Sequence, residues 1–267
     1  MKIVRRSDLI LVATAALLGL LGAVALAGTL IGTEGADDLP GTAGPDQIYG
    51  EAGDDRLLGE AGGDYLEAGP GDDELDGAAG IDLLIGGTGD DRVDAGSGND
   101  VVYAGAGEDV VLGGQGDDTL FGQSDPDRLF GGSGRDRIYG TLGGDFVDAG
   151  TGADRISAEG GDTTVLAGGG DDVVSGSGGP MEVQGGGGSD RIRTGDGADR
   201  ITGGRGNDAI DAGGGDDEVH AVDRRRDRVN CGDGEDVAEV DPSDLVTGCE
   251  TTRRVRGARR RGAGPIG

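Results

Sequence analysis

The chain carries a nine-residue repeat that runs from Gly32 to His220 without an insertion or a deletion. There are 21 units: the sixth residue is Asp in 19, the fourth is Gly in 20, and the eighth is Leu, Ile or Val in all 21. The unit at 86–94, for example, reads Gly-Gly-Thr-Gly-Asp-Asp-Arg-Val-Asp. A period of nine held over this length indicates a repeat architecture in which each unit packs against its neighbours.

Each unit predicts a turn followed by a very short strand. The glycines at positions one, two and four permit positive φ and close backbone approach. Side chains alternate along positions seven to nine, so we expect only the aliphatic residue at position eight to point inward. None of the seven aromatic residues occupies position eight; all lie at positions seven or nine, which face outward in this register. One inward side chain per unit forms a continuous seam only if the units stack.

Stacking would also arrange the position-six aspartates in columns. With two turns per coil there would be one column along each edge, with neighbouring carboxylates about 4.8 Å apart. Like charges at that spacing repel strongly unless cations lie between them. Carboxylate and carbonyl oxygens suit Ca²⁺ better than Mg²⁺, and the soft ligands favoured by zinc or copper are absent from the repeats. The columns therefore predict calcium.

These units resemble the nonapeptides of the RTX family, the haemolysin-type calcium-binding repeats, over most of the chain. The resemblance implies an all-β fold: a right-handed parallel β-roll, a β-solenoid with about two units per coil. About ten coils, roughly 50 Å in length, are expected. It also implies that each position-six Asp and the carbonyls of its glycine-rich segment bind Ca²⁺ shared with the turn one coil away. The implied metal ligands are Asp37, Asp46, Asp55, Asp64, Asp73, Asp82, Asp91, Asp100, Asp109, Asp118, Asp127, Asp136, Asp145, Asp154, Asp172, Asp190, Asp199, Asp208 and Asp217.

We expect the sites at the two ends to be weaker, because a terminal coil has a neighbour on only one side. These sites are Asp37, Asp46, Asp208 and Asp217.

The composition predicts that the metal-free chain is disordered. It has 62 Gly among 267 residues, 3% aromatic residues and a formal charge of −29, a combination that normally cannot build a packed core. Calcium ions would neutralise the columns, so that binding and folding become one event. The acidity argues against binding of nucleic acid.

Departures from the repeat are concentrated in odd-numbered units, counting the unit at Gly32 as the first. Asp125 replaces Gly in unit 11, Thr163 replaces Asp in unit 15 and Met181 replaces Asp in unit 17. Odd units share one edge if two units make a coil. We therefore expect fewer calcium ions on that edge, over 158–184, than opposite it.

Four apolar residues recur 18 residues apart at position nine of even-numbered units, namely Ile85, Tyr103, Phe121 and Tyr139. Stacked coils would bring them into one row. Two interpretations are open: a ladder that stabilises neighbouring coils, or an exposed stripe that docks a protein partner, a glycan or a second copy of the chain.

Residues 1–27 are typical of an export signal, with a charged start, an apolar run and an Ala-x-Ala cleavage site at its end. The alternative is an uncleaved membrane anchor. The β-roll is expected over 28–220, a C-terminal cap over 221–250 and a basic disordered tail over 251–267. The tail could instead hold anionic envelope polymers or the acidic flank of a neighbouring roll.

The cap contains the only two cysteines, Cys231 and Cys249, and in an exported chain they predict a disulfide. It is similar to the Cys-containing ends of secreted bacterial proteins that carry these repeats. Asp227 and Asp236 keep an Asp-x-aliphatic rhythm, so one or two irregular coils are expected there.

No catalytic apparatus is apparent, and we expect that the chain is not an enzyme. The single histidine, His220, lies at an outward position nine without a nucleophile partner, and Lys2 is the only lysine, which excludes a phosphate-binding loop that requires one. The prediction is a secreted, extracellular calcium-binding protein, released or held at the cell surface. The alternatives are a calcium-stiffened surface adhesin or matrix protein, and an accessory to a separately encoded toxin or enzyme.

Overall fold

A computed structural model describes residues 28–255. The predicted export signal and residues 256–267 of the predicted tail lie outside the described residues and stay predictions. Every regular element within 28–255 is a β-strand. In that part of the chain, no helix is long and apolar enough to cross a membrane.

The strands are short and follow one another at intervals of one repeat unit. The first fourteen are β1 Thr29–Ile31, β2 Asp38–Pro40, β3 Gln47–Tyr49, β4 Arg56–Leu58, β5 Ala61–Gly62, β6 Tyr65–Pro70, β7 Glu74–Asp76, β8 Ala79–Gly80, β9 Leu83–Thr88, β10 Arg92–Asp94, β11 Val101–Ala106, β12 Val110–Gln115, β13 Thr119–Ser124 and β14 Arg128–Ser133. The others are β15 Arg137–Gly140, β16 Phe146–Thr151, β17 Arg155–Glu159, β18 Thr163–Leu166, β19 Val173–Ser177, β20 Met181–Gly187, β21 Arg191–Asp196, β22 Arg200–Arg205, β23 Ala209–Gly214, β24 Glu218–Ala221, β25 Arg228–Asn230, β26 Val237–Val240, β27 Leu245–Thr247 and β28 Thr251–Arg254.

These strands form a parallel β-solenoid, which confirms the predicted fold class. Strands from even-numbered units build a first 13-stranded sheet and those from odd-numbered units a second, also of 13 strands. Within the repeats, paired residues are 18 apart, as in Val102↔Leu120 and Val111↔Leu129, so two units make one coil. The short strands β5 and β8 pair separately.

The solenoid is longer than expected, with about thirteen coils where about ten were expected. The chain coils beyond both ends of the repeats, from β1 to β28. One inserted residue near 224–226 raises the pairing offset to 19, as in Ala209↔Arg228, and later offsets are shorter. The predicted cap is thus a set of irregular coils. The tail from residue 251 was expected to be disordered. That expectation was wrong for Thr251–Arg254, which forms the last strand of the second sheet.

The core is a narrow seam, as predicted, but it contains more than position eight. All 21 aliphatic side chains at position eight are at most 3% exposed. Alanines at position one, such as Ala95 and Ala104, are also fully buried, and the position-six aspartates except Asp37 are buried as well. The expectation that only position eight points inward was wrong, because longer strands such as β11 continue the alternation into the next unit.

The aromatic residues all face outward and are half-buried, as predicted. The rings of Tyr103 and Phe121 stack with centroids 4.7 Å apart at 3°, and those of Phe121 and Tyr139 at 4.8 Å and 7°. Each ring therefore covers the face of the next. This geometry favours the ladder interpretation of the row, while docking on it stays a prediction.

The predicted disulfide between Cys231 and Cys249 is present, with Cα atoms 5.1 Å apart across 18 residues of sequence. Cys231 follows β25 and Cys249 follows β27, which are neighbours in the first sheet. The bond therefore fastens the last coil of this sheet to the coil before it.

We predict that replacing both cysteines by serine loosens only the C-terminal end of the solenoid. The bond opposes opening of the terminal coil by about 2–4 kcal/mol, and interior coils keep neighbours on both sides. Hydrogen exchange should show faster exchange in β25 and β27, with β11 and β13 of the same variant as the internal control. Equal acceleration in all four strands would contradict this assignment.

Candidate metal centre

The position-six aspartates stand at the start of each strand, inside the turn. All of them except Asp37 are at most 3% exposed. Their side chains form two columns, one at each edge of the seam. The even column contains Asp46, Asp64, Asp82, Asp100, Asp118, Asp136, Asp154, Asp172, Asp190 and Asp208, and the odd column contains Asp37, Asp55, Asp73, Asp91, Asp109, Asp127, Asp145, Asp199 and Asp217. The structure thus places all nineteen predicted ligands in columns.

One oxygen of each carboxylate ties adjacent coils together. The backbone N–H of Asp100 donates to Oδ1 of Asp118 at 2.8 Å, and the N–H of Asp118 donates to Oδ1 of Asp136 at 2.9 Å. The same bond recurs along both columns at a spacing of 18 residues. It fixes the rotamer of every aspartate and directs the second oxygen.

That second oxygen, Oδ2, is the unusual feature of the site. In eighteen aspartates of the described chain it is buried without any hydrogen-bond partner. They are Asp55, Asp64, Asp73, Asp82, Asp91, Asp100, Asp109, Asp118, Asp136, Asp145, Asp154, Asp172, Asp190, Asp199, Asp208, Asp217, Asp227 and Asp236. A buried charged oxygen without a partner carries its full desolvation cost.

Burial also disfavours the charged form of these carboxylates. Desolvation, with repulsion from neighbouring carboxylates added to it, raises the pKa of Asp91, Asp100 and Asp154 to about 7, although the backbone hydrogen bond acts in the opposite direction. The pKa of Asp136 is raised to about 6 for the same reasons. A cation beside Oδ2 would favour the charged form and so counteract this effect of burial.

Backbone oxygens converge on the same space as Oδ2. A Cβ added to Gly131 at position one would lie 2.6 Å from Oδ2 of Asp136 and 2.6 Å from the carbonyl oxygen of Ala149, one coil later. At Gly50 the corresponding distances are 2.5 Å to Oδ2 of Asp55 and 2.6 Å to the Ala68 carbonyl oxygen. Where position one is glycine, two adjacent coils thus present a carboxylate and a carbonyl oxygen to one space.

This donor set suits a hard cation. Carboxylate and carbonyl oxygens in an irregular arrangement are the ligands of Ca²⁺, whereas Mg²⁺ demands near-ideal octahedral geometry. Within residues 28–255, no group of three or more His, Cys, Asp or Glu side chains gathers at one point. An ion in these columns would therefore depend on backbone carbonyls as well as aspartates, and the residues present fit calcium.

The first two aspartates differ from the rest. Oδ2 of Asp37 accepts from the N–H and hydroxyl of Thr33 at 2.6 and 2.9 Å, and Oδ2 of Asp46 accepts in the same way from Thr42. The chain itself thus satisfies this oxygen at the N-terminal end. These contacts support the expectation of weaker sites there.

At the other end, the expectation for Asp208 and Asp217 rested on a wrong premise. Their N–H groups donate to Oδ1 of Asp227 and of Asp236, both at 2.9 Å. Both aspartates therefore lie inside their columns, with a neighbour on each side.

Asp227 and Asp236 are candidate ligands that the strict nine-residue pattern left out. Their Oδ2 atoms are buried and without a partner, like those of the repeats. Asp244 and Glu250 follow them and accept from their N–H groups at 3.0 and 2.9 Å. The Asp-x-aliphatic rhythm at 227 and 236 was the available signal, and the one-residue insertion concealed its register.

Only the odd column is interrupted. The Asp145 N–H meets the Thr163 hydroxyl at 3.4 Å in place of a carboxylate. Met181 is 4% exposed, and its sulfur lies against Gly176, the position-one glycine of its unit, where an Asp would place Oδ2. The third departure, Asp125, keeps the left-handed turn conformation of the glycine it replaces, with φ of 76°. The expectation of fewer calcium ions on this part of the odd edge stays a prediction.

A comparison with protein families matches the chain to the RTX calcium-binding nonapeptide repeat (4 copies). The matched segments are residues 31–66, 54–84, 76–111, 85–120, 112–147, 121–156, 148–180 and 184–219, which together cover well over half of the chain. A search of curated proteins found no match.

We predict that Met181→Asp adds calcium-binding capacity. Since the N–H of Met181 already donates to Oδ1 of Asp199 at 2.8 Å, an aspartate here would restore the missing link of the column. Equilibrium dialysis should show about one more Ca²⁺ per chain. A calcium site takes six to eight oxygen ligands, so one added carboxylate completes one site at most. Glu182→Asp, on the outward neighbour, is the control and should bind as the parent does. An unchanged ion count for Met181→Asp would contradict the column assignment.

Proposed function

Because this chain belongs to the RTX calcium-binding nonapeptide repeat family, we propose that it is a secreted calcium-binding protein whose β-roll folds when it binds Ca²⁺ outside the cell. The observation that carries this function is the row of eighteen buried Oδ2 atoms that no donor in the described chain reaches. Their regular spacing favours a structural role for the carboxylates over a catalytic one.

The residues that would hold calcium are the position-six aspartates and the position-one carbonyls of the neighbouring coil. Bound calcium supplies the positive charge that balances the buried carboxylates. The Oδ1 hydrogen bonds keep each carboxylate aimed at its site, and the position-eight side chains stack beneath it. Asp227 and Asp236 would extend the ligand set into the irregular coils.

The free-energy balance makes folding depend on the ion. A buried unsatisfied polar group costs about 1–3 kcal/mol, and the described chain has eighteen such carboxylate oxygens. A cation beside these oxygens would offset that cost, so the folded roll with ionised columns is favoured by bound calcium.

This dependence links folding to compartment. Free calcium is scarce inside cells, whereas extracellular calcium-binding modules work at about 10⁻⁴–10⁻³ M. The chain would stay extended until export through the segment at 1–27, and then fold as stacked units cooperate. Secretion is thus the step that exposes the chain to its ligand.

A second candidate function is that of a calcium-stiffened spacer in an adhesin or surface matrix. It is favoured by the two uninterrupted sheets of 13 strands, which form a single rod. Retention on intact cell envelopes with calcium, and release by EDTA, distinguishes this role from that of a freely released protein.

Circular dichroism during a calcium titration tests the proposed function. We expect an unordered spectrum in EDTA that turns β-rich with Ca²⁺ along a cooperative curve, since each coil is stabilised by its neighbours. Mg²⁺ at the same concentration is the control and should leave the chain unordered. A β-rich spectrum in EDTA at neutral pH would overturn calcium-gated folding.

We predict that two adjacent aspartates respond differently to replacement by asparagine. Asp91 is 2% exposed with an unpartnered Oδ2, so Asp91→Asn removes charge from a column and should move the calcium midpoint to higher concentration. Asp90 is exposed and accepts the N–H of Glu108, a bond that asparagine keeps. Asp90→Asn should leave the midpoint within about twofold, because exposed charges contribute little. Equal shifts would show a dependence on net charge alone.

A further inference from the structure

A groove of about 400 Å³ lies at the even edge near the C-terminal end. Its lining includes the side chains of Arg191, Arg226 and Arg228, with Asn207, Ala209 and Ser189 among them. These residues come from three successive coils at the junction between turn and strand. Asp190 and Asp208 of the even column also belong to its lining.

Its shape follows from residue size at one strand position. Arg191, Ala209 and Arg228 are consecutive partners in the first sheet, through Arg191↔Ala209 and Ala209↔Arg228. A small side chain between two long ones leaves a slot one coil wide. On the turn side, Asn207 lies between Ser189 and Arg226, whose N–H donates to Oδ1 of Asn207 at 3.4 Å.

Three arginines without an ion-pair partner meet at this slot. Among residues 28–255, the ion pairs use other arginines, so the guanidinium groups of Arg191, Arg226 and Arg228 have no carboxylate partner. Nearby Arg193 pairs with Asp211 at 3.7 Å. A chain with a net charge of −29 thus leaves three cations unpaired around one concave surface.

The neighbouring acids do not fill this role. Asp190 and Asp208 contribute to the lining, but their side chains belong to the buried even column. Oδ1 of Asp171 accepts the N–H of Ser189 at 2.7 Å on the exposed turn. The exposed charges of the slot are therefore the three guanidinium groups, while the carboxylates of Asp190 and Asp208 lie on its buried side.

We propose that this slot binds a phosphate group. Guanidinium forks bind phosphate and carboxylate oxygens in pairs. A carboxylate offers two oxygens and one charge, which is too little for three arginines. A phosphate monoester offers three oxygens and a charge of about −1.5 to −2, so each guanidinium has an oxygen to bind. The Asn207 amide nitrogen and the Ser189 hydroxyl add neutral donors to the lining.

Isothermal titration of the full chain with glycerol 3-phosphate tests this proposal, under conditions in which circular dichroism shows the β-roll. Arg191→Gln and Arg228→Gln should each weaken binding by about tenfold, as expected for loss of a hydrogen bond between charged groups. Arg155→Gln is the matched control, since Arg155 is exposed at the same strand position outside the groove, and it should retain the affinity. Ala209→Leu should abolish binding by filling the slot without changing charge.

Phosphate binding at this slot requires a folded roll but not calcium as the ion that folds it, so the two proposals fail separately. No binding by a chain that shows the β-rich spectrum would overturn the phosphate site alone. Equal weakening by Arg155→Gln would show diffuse attraction, and equal affinity for acetate would show a site without phosphate selectivity. Either result would contradict the proposal.

Discussion

The buried carboxylate oxygen without a donor is the constraint on which the rest of this structure depends. Along most of the columns, an aspartate uses Oδ1 to accept a backbone N–H from the preceding coil, as Asp118 does from Asp100, and its Oδ2 is buried without a donor. One side chain therefore links two coils and leaves an oxygen free to bind a cation between them. In the proposed function, folding and ion binding thus use the same atoms.

This arrangement explains how a chain with so few large apolar side chains forms an ordered fold. The seam holds one aliphatic side chain per unit at position eight, and position one is glycine or alanine in every unit except that of the buried Thr194. At Gly131 even a Cβ would lie 2.6 Å from Oδ2 of Asp136. The columns take over part of the role of a hydrophobic core. Since each coil is stabilised by its neighbours, the ends are the weakest points. Additional contacts stabilise both ends. Threonine hydroxyls donate to Asp37 and Asp46 at the N-terminal end, and the disulfide of Cys231 links coils at the C-terminal end.

Much of the fold could be predicted from the period alone, because a nine-residue unit with one inward aliphatic residue admits stacking and little else. The aspartate columns and the outward aromatics followed from the same register, and the disulfide followed from the presence of only two cysteines in the chain. The inward direction of position one could not be predicted, since it depends on strands such as β11 extending into the next turn. The coil count was missed because an insertion near 224–226 concealed Asp227 and Asp236. The arginine slot forms because Ala209 lies between Arg191 and Arg228 on neighbouring strands. These residues are 18 and 19 apart in the sequence, so their proximity is seen only when the coils are aligned.

Small-angle X-ray scattering of the purified chain at neutral pH tests the central claim most directly. With calcium, the scattering should be that of a rod of about 60 Å, the length of thirteen coils at the parallel-strand spacing. After exhaustive chelation, the same chain should scatter as an expanded, unfolded polymer. Identical rod-like profiles in both conditions would contradict the claim that divalent ions hold the aspartate columns together.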